Sequence, residues 1–179
     1  MHFDYIIGSA HKNREDVDAS EMDYVPQKLD SIAKGYLHEV LLMVQDNQFD
    51  CVGHLDLIKR YASRQGRSLS LDAYREQLEE IFKVLINNGK GIEVNTSGLR
   101  ESMQEFMPDF NIVKFYKELG GEIITLGSDA HKAQDVGEGI KEATNMLREA
   151  GFRYVTVYEK GMPNFEPITL RKKYYQLVV

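Results

Sequence analysis

Ile123-Ile124-Thr125-Leu126-Gly127-Ser128-Asp129-Ala130-His131 is the stretch on which the fold turns. The apolar and β-branched residues at its start read as a buried strand. Gly127 ends that strand, and a carboxylate and an imidazole follow at once. This is how an α/β enzyme builds a site: the strand fixes the backbone and the loop after it aims the side chains. Asp129 and His131 bring an oxygen and a nitrogen donor within reach of one ion or of two neighbouring ions. The design recurs twice. Tyr5-Ile6-Ile7 runs into Gly8-Ser9-Ala10-His11, and Cys51-Val52 runs into Gly53-His54-Leu55-Asp56.

Working outward, short apolar runs alternate with amphipathic segments. Ile32, Tyr36, Leu37, Val40, Leu41 and Val44 recur at helical spacing and predict a helix over residues 29–45. Residues 12–24 are polar and read as a loop. Ser70 reads as the cap of a helix carrying Tyr74, Leu78, Ile81, Phe82 and Leu85, closed by Asn87-Asn88-Gly89. Asn111 opens a short helix that stops at Gly120-Gly121, and residues 136–150 form another before Gly151. Strands are expected at 5–7, 49–53, 91–95, 122–126 and 154–158, with a return loop and tail from Gly161 onward. The order is βαβαβαβαβ, with strands apolar throughout. That implies the α/β class, with a parallel sheet covered by helices. Five such units fall short of a closed eight-unit barrel, which takes roughly 250 residues.

The 179 residues fit a single domain over 1–179, and 42% hydrophobic with 28% charged residues supports a true core. A net charge of -6 and a pI near 5.4 argue against a nucleic-acid partner. Cys51 is the one cysteine, so no internal disulfide forms, which suits a reducing cytoplasm. The N-terminus shows no secretory pattern and no apolar run approaches membrane-spanning length, so a cytoplasmic protein without a membrane partner is expected.

Of the five histidines, His2 is terminal and reads as an artefact or a disordered end, while His38 reads as a helix-surface residue. His11, His54 and His131 all fall just past strand C-terminal ends, which share one rim in a parallel sheet. With Asp129 they read as a metal site. Glu93 and Asn95 share one face of their strand by alternation. Glu93 then either supports the metal cluster or pairs with a lysine facing a helix. Asp56 either orients an imidazole or caps a helix or turn ahead of Leu57-Ile58-Lys59-Arg60. Arg100 and Arg60 are phosphate clamps if they share the rim, and surface charges if they do not. Ser9 and Ser128 lie near histidines but in no nucleophile elbow, so small strand-end residues are the better reading. The chemistry implied is metal-assisted hydrolysis of a small phosphorylated substrate.

These motifs resemble the polymerase and histidinol-phosphatase (PHP) superfamily, in its monofunctional histidinol-phosphatase branch. The carriers are Ile7-Gly8-Ser9-Ala10-His11, Gly53-His54-Leu55-Asp56-Leu57-Ile58-Lys59-Arg60, Glu93-Val94-Asn95-Thr96-Ser97-Gly98-Leu99-Arg100, Leu126-Gly127-Ser128-Asp129-Ala130-His131 and Asp135-Val136-Gly137. The resemblance covers about residues 3–165. It implies a distorted seven-stranded, TIM-like β/α barrel with a three-metal cluster of zinc, iron or manganese, which hydrolyses phosphate monoesters. Carried over by motif, His11, His54, Asp129 and His131 are metal ligands, with Asp129 and His131 catalytic. Arg100, Arg60, Asn95 and Ser97 bind substrate phosphate, and Glu93 and Asp56 stand behind the ligands. The family's initial His-x-His strand and its next ligands have no counterpart here, so a partial, open barrel with an incomplete cluster is expected. An open edge predicts a homo-oligomer. Two other readings compete: a remnant that binds or scaffolds without catalysis, and a polymerase-attached exonuclease domain, which the acidic balance disfavours.

Overall fold

In the computed structural model, which describes residues 3–168, four strands form one parallel sheet in the order β1-β2-β3-β4. They are β1 (Ile7–Gly8), β2 (Cys51–Val52), β3 (Gly91–Asn95) and β4 (Ile124–Gly127). Ile7 pairs with Cys51, Cys51 with Gly91, and Ile92 with Ile124. Alternation along β3 sends Ile92 and Val94 into the hydrophobic core and Glu93 and Asn95 to the opposite face. His2 and the residues after 168 lie outside the described residues.

Five helices accompany the strands: α1 (Leu29–Asp46), α2 (Ile58–Arg64), α3 (Arg75–Asn87), α4 (Phe110–Glu118) and α5 (Ile140–Glu149). α1 buries Ala33, Tyr36, Leu37, Val40 and Val44, a stripe at helical spacing, and packs on α3, which buries Leu78, Ile81, Phe82 and Leu85. Each such large side chain contributes about 1.5–3 kcal/mol by leaving water. α1 ends where Asn47 turns left-handed at φ 60° and returns its N–H to Met43 O. Phe82 meets the edges of Phe115 and Tyr116 of α4, joining the second and third units.

Several boundaries differ from expectation. The strand at 154–158 does not extend the parallel sheet. β5 (Tyr154–Glu159) instead pairs antiparallel with β6 (Met162–Pro167), a segment expected to be loop. The cause is local: Lys160 and Gly161 take φ 53° and 75°, the paired positive values of a two-residue hairpin turn. The hairpin crosses the strand starts, away from the rim. Thr156 Oγ1 accepts the Ile124 N–H at 3.2 Å, and Tyr158 stacks on Tyr5 at 5.0 Å. α2 enters the sequence reading only as the helix or turn that Asp56 would cap, and its first residue is Ile58. α4 is capped by Asp109, not opened by Asn111, since Asp109 Oδ1 accepts the N–H groups of Asn111 and Ile112. Ser70 sits at a 3-10 turn, and the α-helix proper begins at Arg75. α5 begins at Ile140 because Gly137 and Gly139 hold positive φ ahead of it. No helix of the described residues is long and apolar enough to cross a membrane.

Candidate active site at the strand ends

The loops after β1, β2, β3 and β4 meet on one side of the sheet, and two groups of side chains form there. The first joins the ends of β1 and β2. The His11 and His54 rings stand edge-on, 5.1 Å apart. His11 is exposed, whereas His54 is 8% exposed, with a positive φ of 29° that points it back over the sheet. The His54 amide donates to Glu93 Oε2 at 3.2 Å. His54 Nδ1 is buried with no hydrogen-bond partner. Burial, aided by His11 and Arg60, pushes the His54 imidazole down to about 4. It is therefore neutral at pH 7, with a ring lone pair free to ligate. Burial also raises the Glu93 carboxyl above its ordinary value. Gly127 must be glycine here, because a Cβ would overlap Glu93 Oε1.

The second group joins the ends of β3 and β4. Asp129 takes a left-handed φ of 47° that turns its side chain inward. Its Oδ2 lies 3.3 Å from Arg60 Nη2 and 3.2 Å from Ser97 Oγ, and Arg60 Nη2 also donates to Ser97 Oγ. Burial works to raise the Asp129 carboxyl, but Arg60 and Ser97 outweigh it and hold the group below its ordinary value. Arg100 Nη2 donates to Ser128 O at 2.7 Å, and its guanidinium lies between Asp135 at 4.0 Å and Glu138 at 3.8 Å. His131 is largely exposed, with Nδ1 3.0 Å from the Asp129 carbonyl. That contact assigns the proton to Nδ1 and leaves Nε2 facing outward. Arg60, Arg100, Ser97, Asp129 and His131 line a cleft of about 510 Å³. Arg60 Nε and Arg100 Nη1 are buried in this region without a hydrogen-bond partner.

Two expected site residues turn elsewhere. Asn95 does not line the cleft; it is 2% exposed and bonds to Glu93 and Ser97. Asp56 orients no imidazole. It is fully buried and faces Lys59 Nζ at 3.4 Å, which also meets Glu105 and Asp109. Burial pushes the Asp56 carboxyl up to about 7 despite that lysine. Tyr61, Arg64 and Lys132 also line the cleft and were not anticipated. The i, i+4 spacing of Arg60 and Arg64 was the available signal.

Among the described residues no three His, Cys, Asp or Glu side chains are placed to share one ion. The donors come as two pairs, His11 with His54 and Asp129 with His131. Their chemistry fits a divalent cation. A neutral, buried, unpartnered imidazole nitrogen and an ionised carboxylate are the forms that ligate, and each pair supplies two such donors, one fewer than the three of a usual catalytic zinc site.

Known proteins similar to this chain are named as phosphatases. The chain is 34% identical over 160 residues to a Thermotoga maritima protein named "Probable histidinol-phosphatase", covering 89% of this chain and 62% of that one. It is 31% identical over 159 residues to the histidinol-phosphatase of Lactococcus lactis, covering 87% and 58%. The crystal structure of the Lactococcus lactis histidinol phosphate phosphatase complexed with zinc, L-histidinol and phosphate superposes with a TM-score of 0.73 at 26% identity, covering 90% of this chain and 62% of that one. The chain thus spans about three fifths of the length of these relatives. A family model of the PHP domain matches residues 1–97, the half that carries His11, His54 and Glu93, and the chain belongs to the PHP domain family.

Proposed function

We propose that this chain is a metal-dependent phosphoric monoester hydrolase of the histidinol-phosphatase type, converting L-histidinol phosphate and water to L-histidinol and phosphate in histidine biosynthesis. The cleft where Arg60 and Arg100 stand beside Asp129 and His131, next to the paired rings of His11 and His54, carries this reading. The names of the relatives, and the zinc, L-histidinol and phosphate held by the Lactococcus lactis enzyme, support it. In this reading the four-stranded sheet is an arc of the family's barrel. A buried, free Cys51 suits a cytoplasmic enzyme.

His11, His54, Asp129 and His131 would hold the metal, and zinc, iron and manganese all accept such donors. A three-ion cluster needs donors beyond these four. When bound, divalent cations supply Lewis-acid charge and lower the pKa of water. The chain's own residues do the rest. Arg60 and Arg100 line the cleft and would donate to phosphoryl oxygens there, and the two guanidiniums orient the ester. Asp129 stays ionised beside Arg60. His131 Nε2, the ring nitrogen left without the proton, faces outward as the donor toward the cation.

The test is phosphate release from L-histidinol phosphate by the purified chain with added zinc or manganese. Turnover that falls at least roughly 100-fold in His131→Ala and Arg100→Ala supports the enzyme. The paired, rather than converging, donors favour one second reading, a metal-binding or structural domain without catalysis. Zinc binding without turnover in the wild type would establish that reading instead.

A further inference from the structure

Asn95 lies between the two halves of the site and touches both. Its backbone is fixed from two sides. The Asn95 N–H donates to Met107 O at 2.8 Å and its carbonyl accepts the Met107 N–H at 3.0 Å, while across the sheet it stands opposite Gly127. The side chain, 2% exposed, is therefore presented from a rigid base. Asn95 Nδ2 donates to Glu93 Oε2 at 3.3 Å, the same oxygen that accepts the His54 amide. Asn95 Oδ1 accepts the Ser97 amide at 3.0 Å and lies 2.5 Å from Ser97 Oγ, which in turn lies 3.2 Å from Asp129 Oδ2. Ser97 has one hydroxyl proton for two acceptors, so the amide oxygen and the carboxylate compete for it.

We propose that Asn95 is a positioning residue for the reaction. Through Glu93 it sets the backbone of His54, through Ser97 it sets the rotamer of Asp129, and it thereby holds both halves of the site in one geometry. The inference rests on the reading of His54 and Asp129 as working groups of a phosphatase. Only an amide meets the requirement at this point. It donates at one end, where a carboxylate would face Glu93 with no proton to give, and accepts at the other, where a basic side chain could not. Asn95 touches no cleft surface, so it acts on substrate only through Ser97 and Glu93.

The experiment uses the metal-free chain, so that it reads even if the wild type neither binds zinc nor turns over. Amide exchange of His54 and Ser97 and the Hα–Hβ couplings of Asp129 are followed by NMR in wild type, Asn95→Ala and Ser97→Ala. In Asn95→Ala the His54 amide exchanges roughly five- to tenfold faster and the Asp129 couplings move to rotamer-averaged values. In Ser97→Ala the Asp129 couplings average while the His54 amide keeps its protection, because only one arm is cut. That variant also keeps the inference testable should Asn95→Ala fail to fold. Where zinc does bind, Asn95→Ala weakens it by roughly 10–100-fold. His54 protection and Asp129 couplings unchanged in Asn95→Ala would overturn the inference. So would uniform loosening of every amide in the sheet, the mark of a merely structural asparagine. Absence of zinc binding and turnover in the wild type, with these NMR differences intact, would remove the phosphatase reading and leave the coupling of the two groups standing.

Discussion

Gly127 shows how one absent side chain supports the site. Glu93 Oε1 occupies the space its Cβ would need, and Glu93 is held there by the His54 amide and Asn95. Gly127→Ala is expected to lower stability by about 1–3 kcal/mol, read by urea denaturation, because a bonded, buried carboxylate must move. Cys51 makes a second prediction at this scale. Burial pushes its thiol from an ordinary value of 9.0 up to about 11. A raised thiol contributes stability that is whole below pH 9 and drains away as pH rises through about 11. Reaction with an aromatic disulfide at pH 8 is therefore expected only at the rate of unfolding, and rapid labelling of the native chain would refute it. The strand-end histidines were legible because glycine followed by histidine after an apolar run leaves few alternatives. The directions of Asp56 and Asn95 were not, since alternation gives a face and not a partner. Lys59, three residues on from Asp56 in the same motif, takes its carboxylate, and burial with Glu105 and Asp109 fixes that pairing.

At the scale of elements, capping decides more than composition. Asp109 caps α4 and also takes Lys59 Nζ at 2.6 Å, so one carboxylate ties α4 to α2. Asp109→Ala should cost about 1–2 kcal/mol in thermal or urea melts, and Asp109→Asn, which keeps the cap and loses the charge, less. α1 and α3 were legible from their apolar spacing, because a long stripe overrides local noise. α2 was not, since its 7 residues carry too few turns to show a period. β6 holds Pro163 and Pro167 and little alternation, and only the Lys160-Gly161 turn brings it against β5.

For the whole molecule, the parallel order was readable from βα alternation, while the turn of β5 across the strand starts was not. β1 ends the sheet, and its far side pairs with nothing among the described residues. Phe3, Ile6 and Ile7 are 63%, 44% and 42% exposed around that edge. An edge of this kind associates, so light scattering after size exclusion is expected to give a homo-oligomer, and Ile6→Lys with Ile7→Lys to give a monomer. A wild-type monomer at all concentrations would end that expectation. The account as a whole depends on cations being held on one rim by the loops that follow β1, β2 and β4. Anomalous diffraction at the zinc edge, from crystals soaked in zinc and phosphate, tests this directly. The predicted result is a peak about 2.0–2.1 Å from His54 and a peak against Asp129 and His131, with phosphate oxygens on Arg60 and Arg100. Zinc-free density at all four donors would contradict it.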